Sequence, residues 1–142
     1  MMNPVVKLFL AANVGLYRAT SGKIGGSMFG GKVLLLTTKG NKTGQKRTVP
    51  VMYFEDGSDR VVIASAGGSP EHPAWFKNLS KDPNVSVEVP GKRYQARAAV
   101  VSGDERARIW QKVTTEQPRF AGYAKKSKGR EIPVVVLKEV SS

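Results

Sequence analysis

Two short turn signals set the limits on what this chain can fold into. Glu55-Asp56-Gly57-Ser58-Asp59 and Pro90-Gly91-Lys92 each separate two segments rich in β-branched and apolar residues. A link this short joins only antiparallel neighbours, because a parallel crossover needs a dozen or more residues. Six segments have strand composition: Val33–Thr38, Thr48–Phe54, Arg60–Ala66, Val85–Val89, Tyr94–Val101 and Ile132–Lys138. They do not alternate regularly with helices, as a parallel α/β sheet would require. The pattern predicts a mainly β (α+β) fold: a small, partly open antiparallel β-barrel of about six strands with peripheral helices. No internal repeat or low-complexity stretch interrupts it, so residues 1–142 are expected to form a single domain.

The helical patterns are few. Asn3-Pro4 reads as an N-cap and a proline at the first helical position. Val5, Leu8, Phe9, Ala12 and Leu16 follow at helical spacing on one face, with Lys7 and Arg18 off it. Residues 1–22 are thus expected to form an amphipathic helix leading into a glycine-rich connector, Thr20 to Lys32. Such a helix either packs on the domain or rests on a membrane surface. Pro73 disfavours the helical region for His72, so a second helix is expected to start at Pro73 and stop before Asp82-Pro83. A third is predicted from Gly103 to Glu116, with Ile109 and Val113 four apart.

The chemistry-bearing side chains are scarce. There is no cysteine, which excludes disulfides, thiolate catalysis and cysteine-ligated metals, and fits a reducing cytoplasm. The single histidine, His72, leaves no histidine metal cluster, and no G-x-S-x-G elbow accompanies it. No metal is expected, and a redox or transfer reaction would fall to a cofactor. The formal net charge of +12, from 23 basic against 11 acidic residues, points to an anionic partner. Nucleic acid, an anionic membrane surface, or a small molecule with phosphate or carboxylates would each satisfy it. A nucleic-acid surface wants exposed aromatics beside its cations, whereas most aromatics here fall within apolar patterns, so no nucleic acid is expected. No secretory signal or run of ~20 apolar residues is seen, so any membrane contact is expected to be peripheral, through the N-terminal helix.

Two loops carry the candidate site. Thr37 to Pro50, TTKGNKTGQKRTVP, crowds Lys39, Lys42, Lys46 and Arg47 around Gly40 and Gly44. Glycines let backbone amides approach a ligand, successive amides can form an anion-binding nest, and an arginine fork suits two oxygens. A solvated surface loop is the alternative. Ala64 to Trp75, ASAGGSPEHPAW, leaves a strand through Ser65 and Gly67-Gly68 and enters a helix start, where free amides favour negative charge. Neither a P-loop nor G-x-G-x-x-G is present. Together the loops suggest a phosphorylated cofactor.

The segments LLTTKGNKTGQKRTVPV, VVIASAGGSPEHPAWFKNLSKDPNVSVEV and IPVVVL, in this order and spacing, resemble the deazaflavin-dependent nitroreductase family over nearly the whole chain. The most specific marks are G-x-K-T-G-x-x-R at Gly40 to Arg47 and P-A-W-x-x-N-L at Pro73 to Leu79. The resemblance implies a split β-barrel related to flavin-binding oxidases. It also implies binding of 8-hydroxy-5-deazaflavin coenzyme F420, which carries a phosphodiester and an oligoglutamate tail. Carried over by position, Lys42, Thr43, Gly44 and Arg47 would meet the phosphate side and the start of the tail. Ser65, Gly67 and Gly68 would support the phosphate and linker. Pro50, Pro73, Ala74 and Trp75 would line the ring, with Asn78 a further contact. The family often has a lysine after the serine of the second loop, where this chain has Ala66.

By the same resemblance, the reduced coenzyme would deliver hydride to a quinone, a conjugated enone or a nitroaromatic. Members that activate nitroimidazoles carry several tyrosines near the C-terminal helices. Here PRFAGYAKKSKGR offers Phe120 and Tyr123 as a substrate pocket, so a quinone or enone is the expected acceptor. Tyr123 is the candidate proton donor. Core packing at helical spacing is the other reading of Phe120 and Tyr123. A flavin mononucleotide enzyme on the same barrel and a non-catalytic cofactor carrier are the alternatives.

Overall fold

The turns form as their residues dictate. Gly57 takes φ 61° and Gly91 φ 79°, backbone that is strained for residues with a side chain. Two-residue links result, with Asp56 facing Asp59 and Val89 facing Lys92 across them. The computed structural model describes residues 14–20, 22, 27–28 and 31–140. The expected helix start at Asn3-Pro4, with Val5, Leu8, Phe9 and Ala12, lies outside the described residues.

Among the described residues there are seven strands: β1 (Ser27–Met28), β2 (Gly31–Lys39), β3 (Lys46–Asp56), β4 (Asp59–Ile63), β5 (Asn84–Val89), β6 (Lys92–Val100) and β7 (Val134–Glu139). Helical residues 14–19 form α1; α2 is Ala74–Lys81, α3 Gly103–Glu116 and α4 Arg119–Lys126. The sheet order is β1-β2-β3-β4-β7-β6-β5, and β5 returns to pair with β2. Every pairing is antiparallel, so β2 to β7 make a closed six-stranded barrel. The closing seam is short, with Leu35, Leu36 and Thr37 facing Glu88, Val87 and Ser86.

Strand alternation sorts the apolar residues onto two faces. Leu34, Leu36, Tyr53, Val62, Val87, Val135 and Leu137 fill the interior, and α2 caps it with Trp75, Phe76 and Leu79. Val61, Ile63, Val134 and Val136 point outward and are covered by Ile109 and Val113 of α3 and Phe120 of α4. On the other side Leu35 packs outward against Val14 and Tyr17 of α1. Strands covered on both faces need continuous apolar runs, which is why Val33 to Leu36 and Val134 to Leu137 read as they do.

Several boundaries differ from the sequence pattern. β2 and β3 extend to Lys39 and Lys46, because the ladder runs on through the cationic stretch and Thr37 Oγ1 meets Thr48 Oγ1 at 2.8 Å. β4 stops at Ile63 because Ser65 is in the right-handed region and Ala66 and Gly67 in the left-handed one. β1 and α4 are additional elements. The α4 segment holds two large apolar residues one turn apart, too weak a periodic signal to define a helix. On α1, Leu16 of the predicted apolar stripe is 48% exposed, whereas Val14 and Tyr17 face the barrel.

Candidate functional site

The barrel has a one-sided strand edge. The β3–β4 ladder ends at Tyr53–Val62, while β3 stays paired with β2 down to Lys46–Lys39. Residues 46–52 of β3 therefore have a strand on one side only. Pro50 lies in this stretch, where its missing N–H costs no ladder bond on the free side. Alternation puts Arg47 on the same face as Val51 and Tyr53, toward the interior, and Pro50 with Met52 and Phe54 on the outer face.

Beside this edge the chain leaves β4 in a turn with unusual backbone. Ser65 has φ −77° and ψ −32°, Ala66 φ 49°, Gly67 φ 64° and Gly68 φ 87°. A right-handed residue followed by a left-handed one draws three successive amides to one concave side, an anion-binding nest. Those amides belong to Ser65, Ala66 and Gly67, and among the described residues none of them meets a protein acceptor. The Gly68 N–H is spent on Ser65 O at 2.9 Å, and the Ser69 N–H on Ala66 O at 3.1 Å. Gly68 serves another purpose. A Cβ there would lie 2.8 Å from Lys126 Cβ and 3.1 Å from Tyr123 O, so its bare carbon lets the turn press against α4.

The residue behind this turn carries no mark in the sequence. Arg130 donates through Nε to Ser69 O at 3.0 Å, through Nη1 to Ala64 O at 3.0 Å and through Nη2 to Ser65 O at 2.8 Å. Its Nη1 also lies 2.9 Å from His72 Nδ1. Burial, helped by Arg130 and Lys77, holds the His72 imidazole below its ordinary value. In sequence Arg130 is one cation among Lys125, Lys126 and Lys128, and nothing in that run marks it.

The first loop is joined to the second through Asn78. Its Nδ2 donates to Thr38 Oγ1 at 3.0 Å and its Oδ1 accepts from the Asn41 N–H at 3.1 Å. Asn78 is buried, and its amide holds α2 against the end of β2. The loop itself closes with Gly40 N donating to Gln45 O at 2.7 Å and Gly44 N to Gly40 O at 2.9 Å, with Gly44 at φ 73°. The Gln45 N–H reaches Thr43 Oγ1 at 3.3 Å. Lys42, Lys46 and Arg47 are exposed, and their side chains have no protein partner among the described residues.

The remaining predicted residues divide. Pro73 precedes α2, with Ala74 exposed at its first position and Trp75 partly buried over the barrel interior. Phe120 is buried, edge-on to Phe54 at 5.7 Å and to Tyr123 at 5.3 Å. Tyr123 is half-buried and abuts the second loop through its own backbone. The structure thus brings the second loop, α2, Tyr123 and the first loop around one rim of the barrel. Phe120 lies beneath that rim in the core. Among the described residues no group of acidic, histidine or cysteine side chains could hold a metal, and no helix is long and apolar enough to cross a membrane.

Comparison with known proteins decides the family. The model of the F420H(2)-dependent quinone reductase family matches residues 10–139. The chain belongs to that family. Its members are oxidoreductases that depend on reduced coenzyme F420. An F420H(2)-dependent quinone reductase of Mycobacterium tuberculosis is 40% identical over 126 residues, which cover 86% of this chain and 84% of the relative. Among solved structures, an F420-H2 dependent reductase (FDR-A) is 36% identical with a TM-score of 0.68, covering 75% of this chain and 93% of its own. Another, described as a domain-swapped dimer, is 31% identical with a TM-score of 0.71 and covers 96% of this chain and all of its own.

The residues of this chain fit the coenzyme. Three amides without a protein acceptor suit a phosphodiester, and the neighbouring exposed cations suit carboxylates.

Proposed function

We propose that the chain holds coenzyme F420 with its phosphodiester on the amides of Ser65, Ala66 and Gly67. Its oligoglutamate tail lies on Lys42, Lys46 and Arg47, and its ring lies along the free edge of β3 at Pro50, near the mouth of the interior that Trp75 caps. The observation that carries this reading is the nest: three successive amides with no protein acceptor, beside a rim rich in cations. When bound in its reduced form, the coenzyme supplies a hydride, and the acceptor is a quinone.

The protein's part is to bind, orient and exclude. The amides of the second loop and the cations of the first fix one end of the molecule. Pro73 and Trp75 give the ring an apolar wall, partly closing it from water. Aligning a donor with its acceptor is worth up to about 7–11 kcal/mol of barrier. Tyr123, half-buried at the rim, is the hydroxyl best placed to give the acceptor its proton, and Phe120 packs beneath it. Ala66 contributes its amide only. We infer that a conjugated enone is a second acceptor, since like a quinone it presents a conjugated carbonyl system that takes up a hydride and then a proton.

The test is direct. Oxidised coenzyme F420 and flavin mononucleotide are titrated separately, and oxidation of reduced F420 is followed with menadione and with cyclohexenone. Tight binding of F420 with turnover of menadione is expected. Binding of flavin mononucleotide alone would overturn the reading. Arg47→Ala should weaken F420 binding more for longer glutamate tails, and equal loss at every length would remove Arg47 from the tail site.

A further inference from the structure

We propose that Arg130 is a positioning residue that aims the amides of the second loop at an anion, and that His72 is the acid-sensitive member of its contact set. The inference rests on the reading of that loop as the coenzyme's phosphate site. It concerns residues on the far side of the turn, which would not touch the phosphate.

A trans peptide holds its C=O and the following N–H on opposite sides of one plane. Arg130 draws Ala64 O and Ser65 O toward itself at 3.0 and 2.8 Å. The N–H groups on those same two planes belong to Ser65 and Ala66, and they must face away from Arg130. These are two of the three nest amides. Arg130 Nε holds Ser69 O at 3.0 Å, which anchors the exit of the turn as well. One rigid guanidinium, with five donors in a fixed fork, spans the turn from entry to exit. The segment that presents it is itself held: Ser127 Oγ lies 2.8 Å from both Ala124 O and Arg130 O, which share its single proton.

His72 completes the set. Arginine is always protonated, so at 2.9 Å from Arg130 Nη1 the Nδ1 of His72 has to accept, and the imidazole proton sits on Nε2. Its ring rests on Phe76 at 4.8 Å between centroids. The charged groups that bear on it are Arg130, from the segment before β7, and Lys77, from α2; both are cations. Protonating His72 would turn the acceptor into a donor aimed at a donor and add a third positive charge. The clamp would then let go of one side of the loop.

The experiment measures the dissociation constant of oxidised coenzyme F420 by its fluorescence, with the melting temperature recorded for each variant. Arg130→Lys keeps the charge but cannot span the same acceptors. It should weaken binding about tenfold or more, the scale of a charge-assisted hydrogen bond lost at the site. Wild-type affinity in Arg130→Lys overturns the positioning role. His72→Gln offers Arg130 an oxygen acceptor at any pH and serves if Arg130→Lys fails to fold. As pH falls from about 7.5 to well below the ordinary histidine value, because His72 titrates lower than that in the fold, wild-type binding should weaken several-fold more than that of His72→Gln. Ionisation of the coenzyme's own hydroxyl is common to both arms. Identical pH responses overturn the role of His72. A wild-type protein that binds no F420 at either pH defeats the site reading itself, a different result from either failure above.

Discussion

Asn78 donates to Thr38 Oγ1 at 3.0 Å inside the protein, tying the first helix beyond the second loop to the strand that leads into the first loop. The same side chain accepts from the Asn41 N–H at 3.1 Å. A residue that resembles a cofactor contact in sequence thus has both ends of its amide engaged by the protein. Its effect on the coenzyme would pass through the loops it joins. Asn78→Ala should cost about 1–3 kcal/mol by leaving buried polar groups unpaired, and should weaken F420 binding as well. Thermal unfolding and a binding titration check the two effects. An unchanged melting temperature would contradict the tie.

Gly67 and Gly68 should respond differently to alanine although both have positive φ. At Gly67 a Cβ meets nothing within 4 Å, so Gly67→Ala should cost about 1–2 kcal/mol for the left-handed backbone alone. At Gly68 the same atom would strike Lys126 Cβ and the backbone of Tyr123, so Gly68→Ala should cost more and displace α4. Equal melting temperatures for the two variants would show that the turn does not press on α4.

Much of this was legible in the chain, and the reasons differ by element. The hairpins were legible because Gly57 and Gly91 are needed by their turns. The strands of the barrel were legible because runs such as Val134 to Leu137 suit burial on both faces. The helix from Gly103 to Glu116 agrees with the observed one at both ends, since Ile109 and Val113 set its buried stripe. The two loops announced themselves by glycine and charge. The support for the second loop was hidden: Arg130 contacts residues 58 to 66 positions away, and such long-range contacts leave no local pattern. For the same reason Thr38 and Asn41 read as ordinary loop-edge residues.

Phe120 and Tyr123 are one turn apart yet predict opposite phenotypes. Phe120 is buried against Phe54, and Phe120→Ala should cost about 3–5 kcal/mol in stability. Tyr123→Phe keeps the ring packing and removes only the hydroxyl. It should lower turnover with menadione while leaving the melting temperature and the F420 dissociation constant near wild type. Steady-state kinetics across pH decide the matter, and unchanged rates would exclude Tyr123 as proton donor.

The hairpin between the second and third strands of the barrel carries an acid-sensitive pair. Arg108 forks onto both carboxylate oxygens of Asp56 at 2.9 Å and holds its carboxyl below the ordinary value of 3.8, with burial opposing. A lowered folded value means the pair stabilises fully above about that pH and is lost as pH falls below it toward the folded value. The pair is partly exposed and screened by solvent, so its effect should be small. Melting temperature followed from neutral pH down through this range should fall less steeply in Asp56→Asn than in wild type. Parallel curves would show that the pair contributes nothing.

The most direct test of the account is a crystal structure with coenzyme F420 bound. It should show a phosphate oxygen within hydrogen-bond distance of the amides of Ala66 and Gly67, with the ring against Trp75 beside the free edge at Pro50. A phosphate held elsewhere, or a rim filled by the chain's own side chains, would contradict it.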